Sequence, residues 1–130
     1  MKYPIVRLRL DFLSPYSVGP GKIALLECID RTGSLSQAAR ELDMSYRRPW
    51  LLLDSVNVSF RERVVVTAIG GTGGGGAQLT QFGRRLITHY RRFERDTQAR
   101  ALRAFKTITR ETRRQPPGAR TVPVTRLSGR

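Results

Sequence analysis

The chain has 130 residues, and its 24 lysines and arginines outweigh ten acidic residues to give a formal net charge of +14. This length suits one domain with a modest core, and so large a positive charge favours a polyanionic partner. One cysteine and one histidine exclude an internal disulfide and a four-ligand Cys/His zinc site. The sequence contains no run of 18 apolar residues, so it predicts no transmembrane helix. Charges interrupt the apolar residues near the N-terminus, so this segment is not predicted to be a signal peptide. We therefore expect a cytoplasmic protein that does not bind membranes.

Arginine supplies 21 of the basic residues and lysine only three. The planar guanidinium suits paired hydrogen bonds to phosphate and to guanine edges. A GC-rich genome would produce the same preference for arginine codons, so this bias has two explanations. The net charge is not explained by codon usage.

The N-terminal third predicts a strand and then a helix. Residues 4–12 alternate polar and apolar side chains, which is typical of a half-buried strand. A break at 14–21 is followed by a helix over roughly 21–32 that ends at Gly33. Within it, Cys28 is expected to be a small buried side chain without a cationic partner. Two inward faces are possible, one with Ile23, Leu26 and Ile29, the other with Ala24, Leu25 and Cys28.

Two short helices follow at helix-turn-helix spacing. Ser34 and Gln37 fit a capping box for a second helix that runs to about Glu41. Asp43 and Met44 form the turn, and Ser45 is expected to cap a third helix over roughly 46–57. Pro49 falls in the first turn of that helix, where the missing N–H costs little.

A hairpin and a long helix complete the pattern. Residues 64–69 are strand-like, residues 70–76 contain six glycines in seven positions, and residues 77–79 are again strand-like. Thr80 is then expected to cap an amphipathic helix of up to thirty residues. Its apolar stripe comprises Phe82, Leu86, Tyr90, Phe93 and Thr97, and its basic face carries Arg84, Arg85, Arg91, Arg92 and Arg95.

A helix-turn-helix followed by such a hairpin is the layout of a winged-helix DNA-binding domain. The predicted fold class is therefore α+β, with an N-terminal strand, a β-hairpin wing and a long C-terminal helix. Residues 1–111 form this domain, and residues 112–130 are predicted to be a basic, disordered tail because they lack periodicity.

The N-terminal end of the third helix carries the candidate base-reading residues. In a helix-turn-helix this end enters the major groove of duplex DNA. Trp50, Leu53 and Val56 recur at helical spacing and are interpreted as core. Leu51 and Leu52 fit a recognition helix poorly, so one of them is expected to be exposed or to lie in a subunit interface. The candidate readers are Ser45, Tyr46, Arg47 and Arg48.

Six further residues are candidates for other DNA contacts. The second helix crosses the DNA backbone in this fold, so its cap and its exposed side offer Ser34, Gln37 and Arg40. Thr72 in the wing is placed to reach a phosphate or the minor groove. Arg84 and Arg85 are expected to contribute phosphate contacts that raise the salt dependence of binding.

Other function classes have weaker support. The glycine run satisfies G-x-G-x-x-G, but six glycines do so trivially, and no β-α succession builds a dinucleotide-binding sheet. His89 lies on a charged helix, and no pair of carboxylates is placed for acid–base work. We therefore expect no enzyme activity and no cofactor. Two alternatives stay open, a non-specific nucleic-acid binder and a protein-interaction module on a winged-helix fold.

Three segments resemble the N-terminal winged-helix domain of the ModE-type molybdate-responsive regulators. These are residues 33–39, the Met44–Arg47 stretch with Trp50, and the glycine-rich run leading into Leu79-Thr80-Gln81-Phe82-Gly83. The first segment alone is also LysR-like. The resemblance covers roughly residues 5–108 and implies a homodimer that binds double-stranded DNA and regulates transcription of molybdenum-related genes. It also implies that the N-terminal region and the long C-terminal helix, as a dimerisation helix, join the two protomers. The family's molybdate-binding modules have no counterpart after residue 110, so a molybdate response would require a separate effector-sensing protein.

Overall fold

The computed structural model describes residues 2–68 and 76–118. Their elements alternate between short strands and helices, with two antiparallel hairpins and five helices in this part of the chain. In chain order they are β1 (Leu10–Leu13), β2 (Tyr16–Val18), α1 (Pro20–Thr32), α2 (Leu35–Glu41), α3 (Arg48–Val58), β3 (Val65–Thr67), β4 (Ala77–Leu79), α4 (Gln81–Ala104) and α5 (Lys106–Thr109).

The N-terminal strand is shorter than predicted. Only Leu10–Leu13 is extended in a ladder, and it pairs with β2 in a hairpin rather than standing alone. The preceding residues bond to α4 instead: Tyr90 Oη donates to Leu8 O at 2.8 Å. Gln98 accepts from Val6 N and donates to Pro4 O, both at 2.8 Å. The prediction of a strand over 4–12 is therefore wrong in extent, because side chains of α4 satisfy backbone groups that a ladder would otherwise pair.

Helix α1 is the centre of the core and contacts α2, α3, α4 and both hairpins. Because neighbours surround it, both predicted inward faces contribute buried side chains. Gly33 ends it with a left-handed φ of 70° and donates its N–H to Ile29 O at 2.8 Å, as the glycine predicted. The buried residues of α1 are Ile23, Leu25, Leu26, Cys28 and Ile29.

The wing is an antiparallel hairpin whose base is fixed to the helices. Its strands pair Val65 with Leu79 and Thr67 with Ala77. Ala77 N donates to Gly33 O at 3.1 Å, and Gly76 forms a bridge with Ser34. The described base of the wing therefore rests on the turn between α1 and α2. The expected glycine-rich tip lies largely outside the described residues.

Helix α4 begins as predicted, because Thr80 Oγ1 accepts a hydrogen bond from Gly83 N at 3.0 Å. It is continuous to Ala104, and α5 follows after Phe105. Only the first part of its apolar stripe is buried: Tyr90 is inside, whereas Phe93 is exposed, as are Phe105 and Ile108 beyond the end of α4. Within the described residues, no helix is long and apolar enough to cross a membrane.

These elements form an α+β winged helix-turn-helix, which confirms the predicted fold class. Residues 112–118 carry no helix or strand, and residues 119–130 lie outside the described part of the chain. The disorder of the basic tail, and with it the domain boundary at residue 111, stays a prediction.

Candidate nucleic-acid interface

Helix α2 begins at a serine cap. Ser34 Oγ accepts a hydrogen bond from Gln37 N at 3.1 Å and lies 3.2 Å from Ser36 Oγ. The hydroxyl thereby satisfies one of the free N–H groups of the first turn, as the capping pattern predicted. Gln37 and Arg40 are exposed on the same helix, so both are available to a partner.

The turn between α2 and α3 depends on Asp43. Its φ of 55° lies in the left-handed region, which reverses the chain after α2. Asp43 N donates to Arg40 O at 3.1 Å, and Met44 N donates to Ala39 O at 2.9 Å. These bonds satisfy the last carbonyls of α2 and confirm the predicted turn at Asp43 and Met44.

Helix α3 starts later than the sequence predicted. Its cap position is Arg47, which makes no side-chain capping bond, and Leu51 N donates to Arg47 O at 3.2 Å. The prediction that Ser45 caps α3 is therefore wrong. Pro49 lies in the first turn and needs no N–H partner there, which favours a start close to the proline rather than at the serine.

The four candidate readers lie together on the surface. Ser45, Tyr46, Arg47 and Arg48 are all exposed, and Tyr46 is 87% exposed. Within residues 2–68 and 76–118, no ion pair engages the guanidinium of Arg47 or Arg48. Both charges are thus free to bind an anion or a base edge.

The buried stripe of α3 differs from the prediction at one residue. Leu53 and Val56 are buried, but Trp50 is 47% exposed, so its assignment to the core is wrong. Pro49 is buried in its place. Pro49, Leu53 and Val56 recur at spacings of four and three and make a helical stripe that leaves Trp50 beside it.

The two leucines after Trp50 have different environments. Leu51 is 60% exposed, whereas Leu52 is half-buried against the hydrophobic core. The expectation that one of the pair is exposed is confirmed, and the exposed one is Leu51.

Trp50 also borders an open groove between α2 and α3. The groove has a volume of about 440 Å³ and is mostly apolar, with one cation and two hydroxyls among its lining side chains. The lining residues are Leu35, Ser36, Ala39, Arg40, Met44, Tyr46, Pro49 and Trp50.

Arg84 and Arg85 lie at the start of α4, on a different element from the readers. Arg84 Nη2 is 3.3 Å from Asp30 Oδ1 of α1, and Arg85 lies over the ring of Phe82 with 5.7 Å to the centroid. Both arginines are exposed and remain available to solvent. Thr72, the candidate in the wing, lies outside the described residues.

A small charged cluster lies beside Cys28. Arg31 Nη2 is 3.3 Å from Cys28 Sγ and 2.7 Å from Glu41 Oε1. The hydrogen bond from Arg31 lowers the pKa of the Glu41 carboxyl below its ordinary value. The expectation that Cys28 has no cationic partner is wrong, because one helical turn places Arg31 against the thiol.

The chain is similar to several named proteins. No protein-family model matches the chain. The molybdenum transport protein ModE of Azotobacter vinelandii is 38% identical over 95 residues, which are 73% of this chain and 35% of that protein. The chain is a homologue of the ModE-type proteins. The transcriptional regulator ModE of Yersinia pestis is 46% identical over 71 residues, 55% of this chain and 27% of that protein.

A third relative is named for DNA binding. The DNA-binding transcriptional dual regulator ModE of Escherichia coli (strain K12) is 42% identical over 85 residues, 65% of this chain. The similar segment is 32% of that protein, so this chain spans about a third of the length of the ModE-type relatives it matches. The similarity lies in the N-terminal part of this chain, which contains the helix-turn-helix.

Proposed function

We propose that this chain binds double-stranded DNA sequence-specifically and regulates transcription. The observation that carries the proposal is the exposure of Tyr46, Arg47 and Arg48 at the start of α3, where no ion pair among the described residues engages either arginine. In the helix-turn-helix this end of the second helix meets base edges in the major groove. The names of the ModE-type relatives support the same role.

Each candidate residue has a proposed part in binding. Arg47 reads a guanine through paired hydrogen bonds to O6 and N7, which is the commonest specific contact of arginine. Ser34, Gln37 and Arg40 position α2 on the phosphate backbone, and such contacts fix register without reading sequence. The net charge of +14 supports a large sequence-independent attraction to the duplex.

The proposal includes a homodimer. The second half of α4 and α5 expose Phe93, Phe105 and Ile108 along one stretch of the chain, and the N-terminal Tyr3 is exposed as well. A two-fold dimer would place two recognition helices about 34 Å apart, one turn of B-DNA. The operator is then expected to be palindromic.

We also propose a link to molybdenum genes. It rests on relatives named for molybdenum transport and for molybdenum-pterin binding, the latter being MopB of Rhodobacter capsulatus, 45% identical over 73 residues. Because the shared segment is about a third of the length of these proteins, we assign it DNA binding and no molybdate sensing. Titration of molybdate against the chain bound to DNA tests this division, since an affinity change with the chain alone contradicts it.

The deciding experiment is selection of bound fragments from random DNA, followed by affinity measurement on the selected site and on unrelated DNA. We expect a palindromic consensus and a preference of the order of 10³-fold or more. Arg47→Ala is expected to weaken specific binding by about 1–3 kcal/mol and to leave non-specific binding nearly unchanged. Equal weakening on both DNAs would reassign Arg47 to a phosphate.

A protein-interaction module is the second candidate, and exposed Leu51 is the observation that favours it. An exposed apolar side chain at this point of a DNA-reading helix makes no favourable interaction with water, and it suits contact with another protein. Absence of any DNA affinity at low salt would favour this candidate over the regulator. Binding without preference for any sequence would instead identify a non-specific nucleic-acid binder.

A further inference from the structure

Trp50 has the largest apolar side chain in α3 and is left 47% exposed beside the candidate readers. Half burial leaves much of the apolar surface of such a side chain in water, where a partner can cover it. Its neighbours in the groove include Tyr46, which is 87% exposed. An aromatic surface thus stands open at the end of the helix that is proposed to meet base edges.

The groove that Trp50 borders is chemically simple. Ala39, Met44 and Pro49 join Trp50 in an apolar lining, and Arg40 supplies the one cation. Its volume of about 440 Å³ far exceeds that of a methyl group. Among major-groove base edges, only thymine presents an apolar group, its C5-methyl.

We propose that this groove receives the C5-methyl group of a thymine in the operator, with Trp50 as its principal contact. The proposal rests on the proposed function and names a chemical feature that the site reads. It gives the interface two different readings, guanine by the guanidinium of Arg47 and thymine by the apolar groove. The apolar contact distinguishes thymine from cytosine, which lacks the methyl group.

The test removes the methyl group from the DNA and leaves the protein intact. Each thymine of the selected operator is replaced in turn by deoxyuridine, which keeps the O4 acceptor and Watson–Crick pairing. We expect about a fourfold loss of affinity at one thymine in each half-site, which corresponds to about 0.8 kcal/mol, the value of one buried methylene-sized group. Replacement of the other thymines is expected to change little.

A protein variant then assigns the contact. Trp50→Ala is expected to weaken binding to the thymine operator and to bind the thymine and uracil operators equally. Leu51→Ala is the matched control, because Leu51 is the next residue, is 60% exposed and does not line the groove. It is expected to keep the fourfold preference for thymine.

A measurement on the unaltered chain guards against a variant that fails to fold. Trp50 is the only tryptophan in the sequence, so its fluorescence reports on this groove alone. Acrylamide is expected to quench Trp50 less in the thymine complex than in the uracil complex, because the methyl group covers the ring. Equal quenching in the two complexes contradicts the proposal.

The outcomes separate this inference from the proposed function. If no sequence is preferred over random DNA, the proposed function fails and the thymine contact with it. If a preferred operator exists but deoxyuridine is silent at every thymine, only the groove assignment is overturned. The groove assignment is also overturned if replacement of thymine by deoxyuridine lowers the DNA affinity of Trp50→Ala as much as that of the unaltered chain.

Discussion

Asn57 of α3 holds Val64 at the entrance to the wing. Its Oδ1 accepts from Val64 N at 2.8 Å and from Val65 N at 3.2 Å, and its Nδ2 donates to Val65 O at 3.2 Å. Val64 and Val65 are fully buried, so few other partners can reach these groups. One amide side chain therefore joins the candidate recognition helix to strand β3.

Replacement of this amide is expected to loosen the wing. Asn57→Ala leaves two N–H groups of buried residues without their partner, which costs about 1–3 kcal/mol of the free energy of unfolding. Urea unfolding measures the loss, and hydrogen exchange at the Val64 and Val65 amides locates it. Ser59→Ala is the control, because its hydroxyl donates to Ser55 O of α3 at 2.9 Å and makes no hydrogen bond to the described part of the wing. A control that loses as much as Asn57→Ala would contradict a specific link to the wing.

Gly83 is required by the approach of α4 to β3. A Cβ at this position would lie 2.4 Å from Val64 O and 2.9 Å from the Leu79 side chain. Gly83→Ala is therefore expected to lower the free energy of unfolding by about 1–3 kcal/mol, although alanine favours helix more than glycine does. Thermal or urea unfolding is the measurement.

Gly21 in the first turn of α1 is the matched control for Gly83. Nothing lies within 4 Å of a Cβ built there, so Gly21→Ala adds helix propensity without a clash. We expect it to leave stability unchanged or to raise it by up to about 1 kcal/mol. A loss from Gly21→Ala as large as that from Gly83→Ala would show that the close approach to Val64 is not the cause.

Local signals in the sequence located most of the elements. Ser34 and Thr80 were recognisable as caps because a hydroxyl precedes each helix, and Gly33 marked the end of α1. These interactions join residues within four positions of one another. They are visible without knowledge of the tertiary structure.

The predictions from sequence were wrong where distant residues or competing local signals determine the structure. The N-terminal segment alternates like a strand, but Gln98 bonds to Val6 from 92 residues away. At α3, the serine at position 45 competed with Pro49, and the proline fits the observed start. The predicted stripe was right at Leu53 and Val56, but Pro49 rather than Trp50 occupies its first position. The Leu-Thr-x-x-Gly pattern indicated a family, and only the structure explains why its glycine is needed.

Tyr90 is expected to make the free energy of unfolding fall as the pH rises in the alkaline range. Burial, with a smaller effect from the charge of Glu94, raises the pKa of its phenol, and Oη donates to Leu8 O at 2.8 Å. The folded chain thus binds this proton more tightly than the unfolded chain. Its contribution is complete below the ordinary tyrosine pKa of about 10 and is lost as the pH rises through the higher folded pKa.

The variant Tyr90→Phe tests both the bond and the titration. At pH 8 we expect a loss of about 0.5–1.5 kcal/mol for the missing hydrogen bond. Between pH 8 and pH 10.5 the stability of the variant is expected to fall less than that of the unaltered chain. Parallel curves over this range, measured by urea unfolding, would contradict the buried phenol as the source of the pH dependence.

The exposed apolar residues near the end of α4 are expected to form the dimer contact. Phe105 is 51% exposed and Ile108 is 64% exposed, so Ile108→Asp should disturb an isolated protomer little. A charge buried between two protomers without a partner is costly, and we expect the variant to be a monomer by light scattering. Val58→Asp at the end of α3 is the control, since Val58 is similarly exposed, at 54%. A dimer that survives Ile108→Asp, or is lost with Val58→Asp, would place the contact elsewhere.

Arg84 distinguishes a phosphate contact from an internal ion pair. Its guanidinium lies 3.3 Å from Asp30, and both side chains are largely exposed, so water screens the pair and a phosphate can compete for the arginine. If Arg84 binds the DNA backbone, Arg84→Ala lowers the slope of log affinity against log salt by about one unit for each phosphate that the variant no longer neutralises.

Arg92→Ala, further along α4, is the control for the loss of one charge. Asp30→Asn frees the guanidinium and is expected to raise affinity at low salt. Two results together would contradict a DNA contact. Arg84→Ala would leave the salt slope unchanged, and Asp30→Asn would lower the free energy of unfolding as much as Arg84→Ala does. Arg84 would then join α4 to α1 without contacting DNA.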